Sequence, residues 1–261
     1  CLCGGPRLGV GLMCGLVAVM SRSGSRPDPD QIERITDRLT HRGPDGRGSD
    51  TRDHVGLGHR RLAIIDVDGA QQPMSGPGGV RITFNGEIYN FRVLRRELAE
   101  LGHTFTLESD TEVLAHAVAE WGVDCLPKLS GMFALVVDDP QRGEVWAARD
   151  RMGQKPLFAF DHRVLPGVAR GFVSELRAIT DEPGAQKTIE PQAVASFLAY
   201  DFVPEPGGIF AGAEKVLPGE VWRIDRDRPE APPRRQRWWE LPFGRRTILP
   251  ANEALEALAK A

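Results

Sequence analysis

The sequence predicts an α+β domain, and three observations carry the prediction. Apolar, β-branched runs are short and end at Gly- or Pro-rich turns. Amphipathic helical patterns lie among them. The composition, 41% hydrophobic and 26% charged over 261 residues, is that of a folded globular chain rather than a disordered tail. That length allows one large domain, or one domain and part of another.

Residues 1–13 stand apart. They begin with Cys, are Gly-rich and show neither helical nor strand periodicity. Met13 followed by the apolar run 14–20 reads as a start leading straight into a buried strand, so 1–13 is expected to be a leader or an over-extended reading frame. Pro27-Asp28-Pro29-Asp30 then opens a helix with Ile32, Ile35 and Leu39 on one face. The turn-rich 41–46 follows, and strands are predicted at 54–66 and 80–89. Helices are predicted at about 91–101 and 111–121, stopped by Gly102 and Gly122. A dense strand region over 133–175 is broken at 140–143 and near Gly153, and a further helix is expected from Pro191. From Asp225 the Arg- and Pro-rich composition reads as an exposed linker over 225–248. The Ala/Leu/Glu pattern near the end reads as a helix over 249–261 that opens a second domain.

Bulk chemistry excludes several function classes. A net charge of −3 exerts no global pull on nucleic acid or anionic membrane. No apolar run approaches the ~18–20 residues of a membrane span, and the N-terminus lacks a signal-peptide pattern, so a cytoplasmic location is the default expectation. Cys1, Cys3, Cys14 and Cys125 form neither a disulfide framework nor a zinc pattern. Arg dominates the 33 basic residues, which reads as coding bias. Ser75-Gly76-Pro77-Gly78-Gly79 lacks the Lys-Ser/Thr of a phosphate loop and reads as a flexible loop, and the 234–239 Arg/Trp cluster is too short for a nucleic-acid surface.

The informative motifs come as an ordered series. Met13-Cys14-Gly15 is followed by His-Arg-Gly-Pro-Asp-Gly (41–46), Gly-His-Arg-Arg-Leu-Ala-Ile-Ile-Asp (58–66) and Phe-Asn-Gly-Glu-Ile-Tyr-Asn (84–90). Then come Ser-Asp-Thr-Glu-Val (109–113), Ser-Gly-Met-Phe-Ala-Leu (130–135), Ala-Arg-Asp-Arg-Met-Gly-Gln-Lys-Pro-Leu-Phe (148–158) and Leu-Pro-Gly-Glu (217–220). Together, over Met13 to Trp239, these resemble the N-terminal glutaminase domain of asparagine synthetases and related class II glutamine amidotransferases.

That resemblance implies the four-layer αββα N-terminal-nucleophile hydrolase fold, two stacked antiparallel sheets between helices, over 14–224. It implies hydrolysis of L-glutamine to glutamate and ammonia through a thioester on Cys14. A free α-amine (pKa about 8) could act as base for its own thiol (about 8.5) once 1–13 is removed. Asn85 and the Gly86 N–H are implied as oxyanion donors, Arg61 as the clamp on the substrate carboxylate, and Asp110 as acceptor for its ammonium. Glu87, Leu62 and Ile64 would complete the pocket.

Plainer readings stand beside these. Cys14 could be a small buried residue, Asn85-Gly86 a hairpin turn, Arg61 a surface residue, and Asp110 a helix cap within Ser109-x-x-Glu112. No metal or cofactor is expected for the glutaminase step. ATP and Mg belong to the family's synthetase domain, the expected partner, of which 249–261 would be the start. Another amidotransferase acting on a polysaccharide or peptide, or a glutamine-binding module that retains its leader, are the alternatives. A homodimer is left open. The Arg149-Asp150-Arg151 and Ser174-Glu175 motifs are expected to be scaffold.

Overall fold

A computed structural model of the chain describes residues 13–63 and 70–241, together with Glu253 and Glu256. The first strand shows how its layers arise. β1 (Gly15–Ser21) is buried along its whole length. Leu16, Ala18 and Met20 enter one apolar cluster, while Val17 and Val19 enter another on the opposite face. A strand covered on both faces needs the continuous apolar run that residues 16–20 supply. α1 (Pro29–Asp37) completes the second cluster: Ile32, Ile35 and the following Leu39 are fully buried there. Asp28 caps it, accepting from the Asp30 N–H at 3.0 Å.

β2 (Gly46–Arg52) and β3 (Val55–Arg61) form a hairpin, followed by the short β4 (Met74–Ser75) and by β5 (Arg81–Ile88). Helices α2 (Phe91–Glu100) and α3 (Asp110–Trp121) precede a second hairpin, β6 (Gly131–Asp139) and β7 (Glu144–Arg149). β8 (Phe158–Asp161), β9 (Val168–Val173), α4 (Arg177–Thr180), α5 (Pro191–Tyr200), β10 (Ala213–Lys215), β11 (Glu220–Asp225) and β12 (Arg234–Arg237) follow. In space, β10-β8-β9-β1-β3-β2 make one six-stranded antiparallel sheet and β12-β11-β7-β6-β5-β4 the other.

β6 repeats the arrangement of β1. Phe133, Leu135 and Val137 pack with residues of α2 and α3, whereas Ala134 and Val136 pack with Leu16, Ala18 and Leu57 of the first sheet. The order is therefore helix, sheet, sheet, helix, with an apolar layer at each junction. Polar ties cross the central layer. The Thr83 hydroxyl of β5 donates to the Gly58 carbonyl of β3 at 3.1 Å and lies 3.2 Å from Nδ1 of His59. Complete burial drives the His59 pKa down to about 3, so this imidazole is neutral.

The structure departs from the expectations in four places. The strand expected over 54–66 ends at Arg61, and residues 64–69 lie outside the described set. β2, Gly-Arg-Gly-Ser-Asp-Thr-Arg, was not foreseen, because an edge strand facing water carries no apolar alternation. The expected linker contains β12, where Arg235 lies 3.8 Å over the Trp222 ring and pairs with Glu214 at 2.6 Å. Residues 75–79 are no loose loop: Pro77–Gly79 is a 3₁₀ turn, with the Gly76 N–H bonded to the Val80 carbonyl at 2.8 Å. Of the expected helix at 249–261, only Glu253 and Glu256 are described, and both are helical. Among the described residues no helix is long and apolar enough to cross a membrane.

Candidate active site

Cys14 sits just ahead of β1, at the centre of its sheet between β9 and β3. The 41–46 turn holds it there. The Met13 N–H donates to the Arg42 carbonyl at 3.0 Å, and Arg42 Nε donates to the Cys14 carbonyl at 3.0 Å. Glu175 anchors Arg42 at 2.6 Å and also meets His41 at 2.9 Å. Gly43 is required because a Cβ there would lie 2.5 Å from the carbonyl carbon and oxygen of Arg60, so only Gly lets the turn press onto β3. As β3 ends, the Leu62 N–H points at the Cys14 sulfur, 3.3 Å away.

β5 brings the second set of groups. Within this strand backbone groups alternate between edges, and Tyr89 N–H bonding to the Ser130 carbonyl marks the odd positions as facing β6. The N–H groups of Phe84, Gly86 and Ile88 therefore point to the opposite edge, past the end of short β4. Two of these are capped by side chains: Phe84 by Gln72 Oε1 at 2.6 Å and Ile88 by Asp110 Oδ2 at 3.0 Å. The Gly86 N–H between them opens into the cleft. Beside it, Asn85 is 1% exposed, and its Nδ2 has no hydrogen-bond partner among the described residues. The unpartnered Asn85 amide and the Gly86 N–H thus belong to adjacent residues lining one cleft.

Asn85-Gly86 is consequently mid-strand rather than a hairpin turn. Gly86 is required by its neighbouring strand. A Cβ would lie 2.1 Å from the Met132 carbonyl oxygen, so its absence makes room for β6, not for a ligand. At the start of α3 the cap is Ser109, whose hydroxyl accepts from Glu112 N–H at 3.1 Å; Asp110 is the first helical residue and aims at β5 instead. Glu112 does not close a capping box, because its carboxylate takes the N–H groups of Thr106 and Leu107.

One cleft, about 610 Å³ when its open mouth is included, is lined by Cys14, Arg61, Leu62, Asn85, Gly86, Glu87 and Asp110. These are seven of the eight predicted site residues; Ile64 lies outside the described residues. Burial pushes the Cys14 thiol up from its ordinary value, opposed by the Leu62 N–H and by the charges of Arg61, Lys155 and Arg42. Burial likewise raises Asp110, against the hydrogen bond from Ile88. Cys125, in the helix-side core, is pushed up to about 12 by burial and is inert.

A half-buried cysteine that shares a cleft with an unpartnered amide donor, cations and carboxylates suits acyl transfer from a small charged substrate. The comparisons agree with that chemistry. Residues 13–239 match the family model for the glutamine amidotransferase domain. The chain belongs to this family. Its relatives include asparagine synthetase [glutamine-hydrolyzing] 3 of Bacillus subtilis, 36% identical over 82% of this chain and 35% of that protein. Asparagine synthetase [glutamine-hydrolyzing] 1 of the same organism is 37% identical over 82% of this chain and 34% of its own length. The chain thus spans about a third of the relatives it matches. Among solved structures, glutamine phosphoribosylpyrophosphate amidotransferase from B. subtilis superposes with a TM-score of 0.59 at 20% identity, covering 87% of this chain and 50% of that one. That likeness shows the fold: this amidotransferase domain has the αββα arrangement of two stacked antiparallel sheets between helices.

Sequence reasoning missed two residues. Lys155, inside the 148–158 motif but not singled out there, lines the cleft. Gln72, which caps Phe84 and lines it too, was not singled out. The available signal for Lys155 was its being a lysine in a chain whose basic residues are overwhelmingly Arg.

Proposed function

We propose that this domain hydrolyses L-glutamine to L-glutamate and ammonia, and that in a full-length asparagine-synthetase-type protein the ammonia serves an ATP-dependent synthetase domain. The observation that carries the reading is the unpartnered Asn85 Nδ2 beside Gly86, whose N–H faces away from β6, both residues lining one cleft with Cys14. Leaving a buried donor unpaired costs about 1–3 kcal/mol, a cost a folded protein tolerates where a ligand atom supplies the partner.

In this reading the Cys14 sulfur attacks the amide carbon of glutamine. The carbonyl oxygen becomes an oxyanion between Asn85 and Gly86. The C–N bond breaks, ammonia leaves with the proton taken from the thiol, and water hydrolyses the resulting thioester. Arg61 pairs with the substrate carboxylate, and Asp110 and Glu87 receive its ammonium. The base is the α-amine of Cys14, which requires removal of residues 1–13. With Met13 attached, that nitrogen is an amide and Met13 itself lines the cleft. The chain supplies nucleophile, base and oxyanion donors, so the step calls for no metal or cofactor. We place the protein in the cytoplasm.

The direct test is Cys14→Ala. It is expected to release no ammonia from glutamine while still binding it, as read by calorimetry. A Cys14→Ala protein with undiminished turnover sinks the mechanism.

A further inference from the structure

The loop between β7 and β8 is built from its backbone. The Asp150 carboxylate accepts from the N–H groups of Met152, Gln154 and Lys155, each at 3.0 Å, and from Phe133 at 3.2 Å. Arg149 closes the other side, donating to the carbonyls of Lys155 at 2.8 Å, Gly153 at 2.7 Å and Val216 at 2.8 Å. None of these bonds uses the Lys155 side chain. The ammonium is instead delivered into the cleft that Cys14 lines, 9% exposed, where it makes no hydrogen bond or ion pair with any described residue. A buried cation without a partner is costly unless a counter-charge arises nearby.

We propose that Lys155 is a positioning residue for the nucleophile: its ammonium is the counter-charge of the Cys14 thiolate and sets the pH at which the thiol becomes reactive. The inference rests on the reading of Cys14 as nucleophile. The thiol proton leaves to the α-amine or to water, and Lys155 stays protonated throughout. Other charges face the same space from every neighbouring element: Arg42 from the turn before β2, Arg61 from β3, Glu87 from β5, Asp110 from α3, and Asp150 from the loop itself. Of the cations, Arg42 is already engaged by Glu175, and Arg61, whose charge acts on the thiol more strongly than that of Lys155, is taken by the substrate carboxylate in the proposed reaction. Burial lowers the Lys155 pKa, and the charge of Cys14 is the largest influence acting to restore it.

The experiment follows the rate of Cys14 alkylation by iodoacetamide against pH, with peptide mass mapping to isolate the Cys14 signal from the other cysteines. Lys155→Met is expected to move the midpoint of the profile up by roughly one unit, a loss of about tenfold in rate near neutral pH. Lys155→Arg is expected to recover most of that loss. Thermal melts establish that the variants fold, and Lys155→Gln provides a second neutral side chain should the Met variant not fold. Neutral variants that melt like the parent and keep its alkylation profile overturn the proposal. Ammonia release plays no part in this readout. A chain whose mass begins at Cys14, that hydrolyses no glutamine and yet shows the shift, overturns the glutaminase reading and leaves the role of Lys155 standing.

Discussion

Asn85 is the residue at which structural cost and chemistry meet. Its amide is buried, yet its Nδ2 has no hydrogen-bond partner among the described residues. Asn85→Ala removes that donor at little cost to the fold, and kcat for ammonia release should fall by roughly 10²–10³-fold, as for other single oxyanion donors. Asp110 gives a prediction whose sign follows from burial. Its folded pKa is raised, so the stability it contributes is complete below the unfolded value of about 3.9 and is lost as pH rises through the folded value. Asp110→Asn keeps an acceptor for the Ile88 N–H and removes the charge. It should therefore melt higher than the parent at neutral pH, with the gap closing toward pH 4, while glutamine binding is lost. Equal melting temperatures at neutral pH would show that the carboxylate is not held against its preference. At this scale the residue types were legible in the sequence. The orphaned state of Asn85 and the inward reach of Lys155 were not, because both depend on what surrounds them in space.

At the scale of elements, β5 does most to assemble the site. Its alternation sends Thr83, Asn85 and Glu87 toward the first sheet and Ile82, Phe84 and Ile88 into the helix-side core. The same alternation was visible in residues 80–89, so this strand was readable in advance. β2 and β12 were not, for a shared reason: both are edge strands whose charged side chains face water, and the contacts that fix them are tertiary. The tight β5–β6 pairing yields a prediction of its own. Gly86→Ala would bring a Cβ to 2.1 Å from the Met132 carbonyl oxygen, so the strands must part. The expected loss is about 1–3 kcal/mol, as for overpacked cores, measured by urea denaturation. An unchanged midpoint would show that β6 yields without cost.

Over the whole molecule, the site lies where the start of β1, the end of β3 and the open edge of β5 approach one another, with the α3 N-terminus and the β7–β8 loop closing the cleft. The stacking of two sheets was not legible from periodicity, which shows only that strands such as β1 and β6 are buried on both faces. The order of motifs from Met13 to Trp239 carried that information, and the family match over 13–239 covers the same stretch. Cys14 and Arg61 lie at strand ends and Asp110 at a helix start, and all three line one cleft with the mid-strand Asn85-Gly86 of β5.

The central claim, that Cys14 acts through its own α-amine, is tested most directly by intact mass measured alongside ammonia release from glutamine. A protein whose mass begins at Cys14 should release ammonia, and one that keeps residues 1–13 should not. Ammonia released at full rate with those residues still attached would contradict the account.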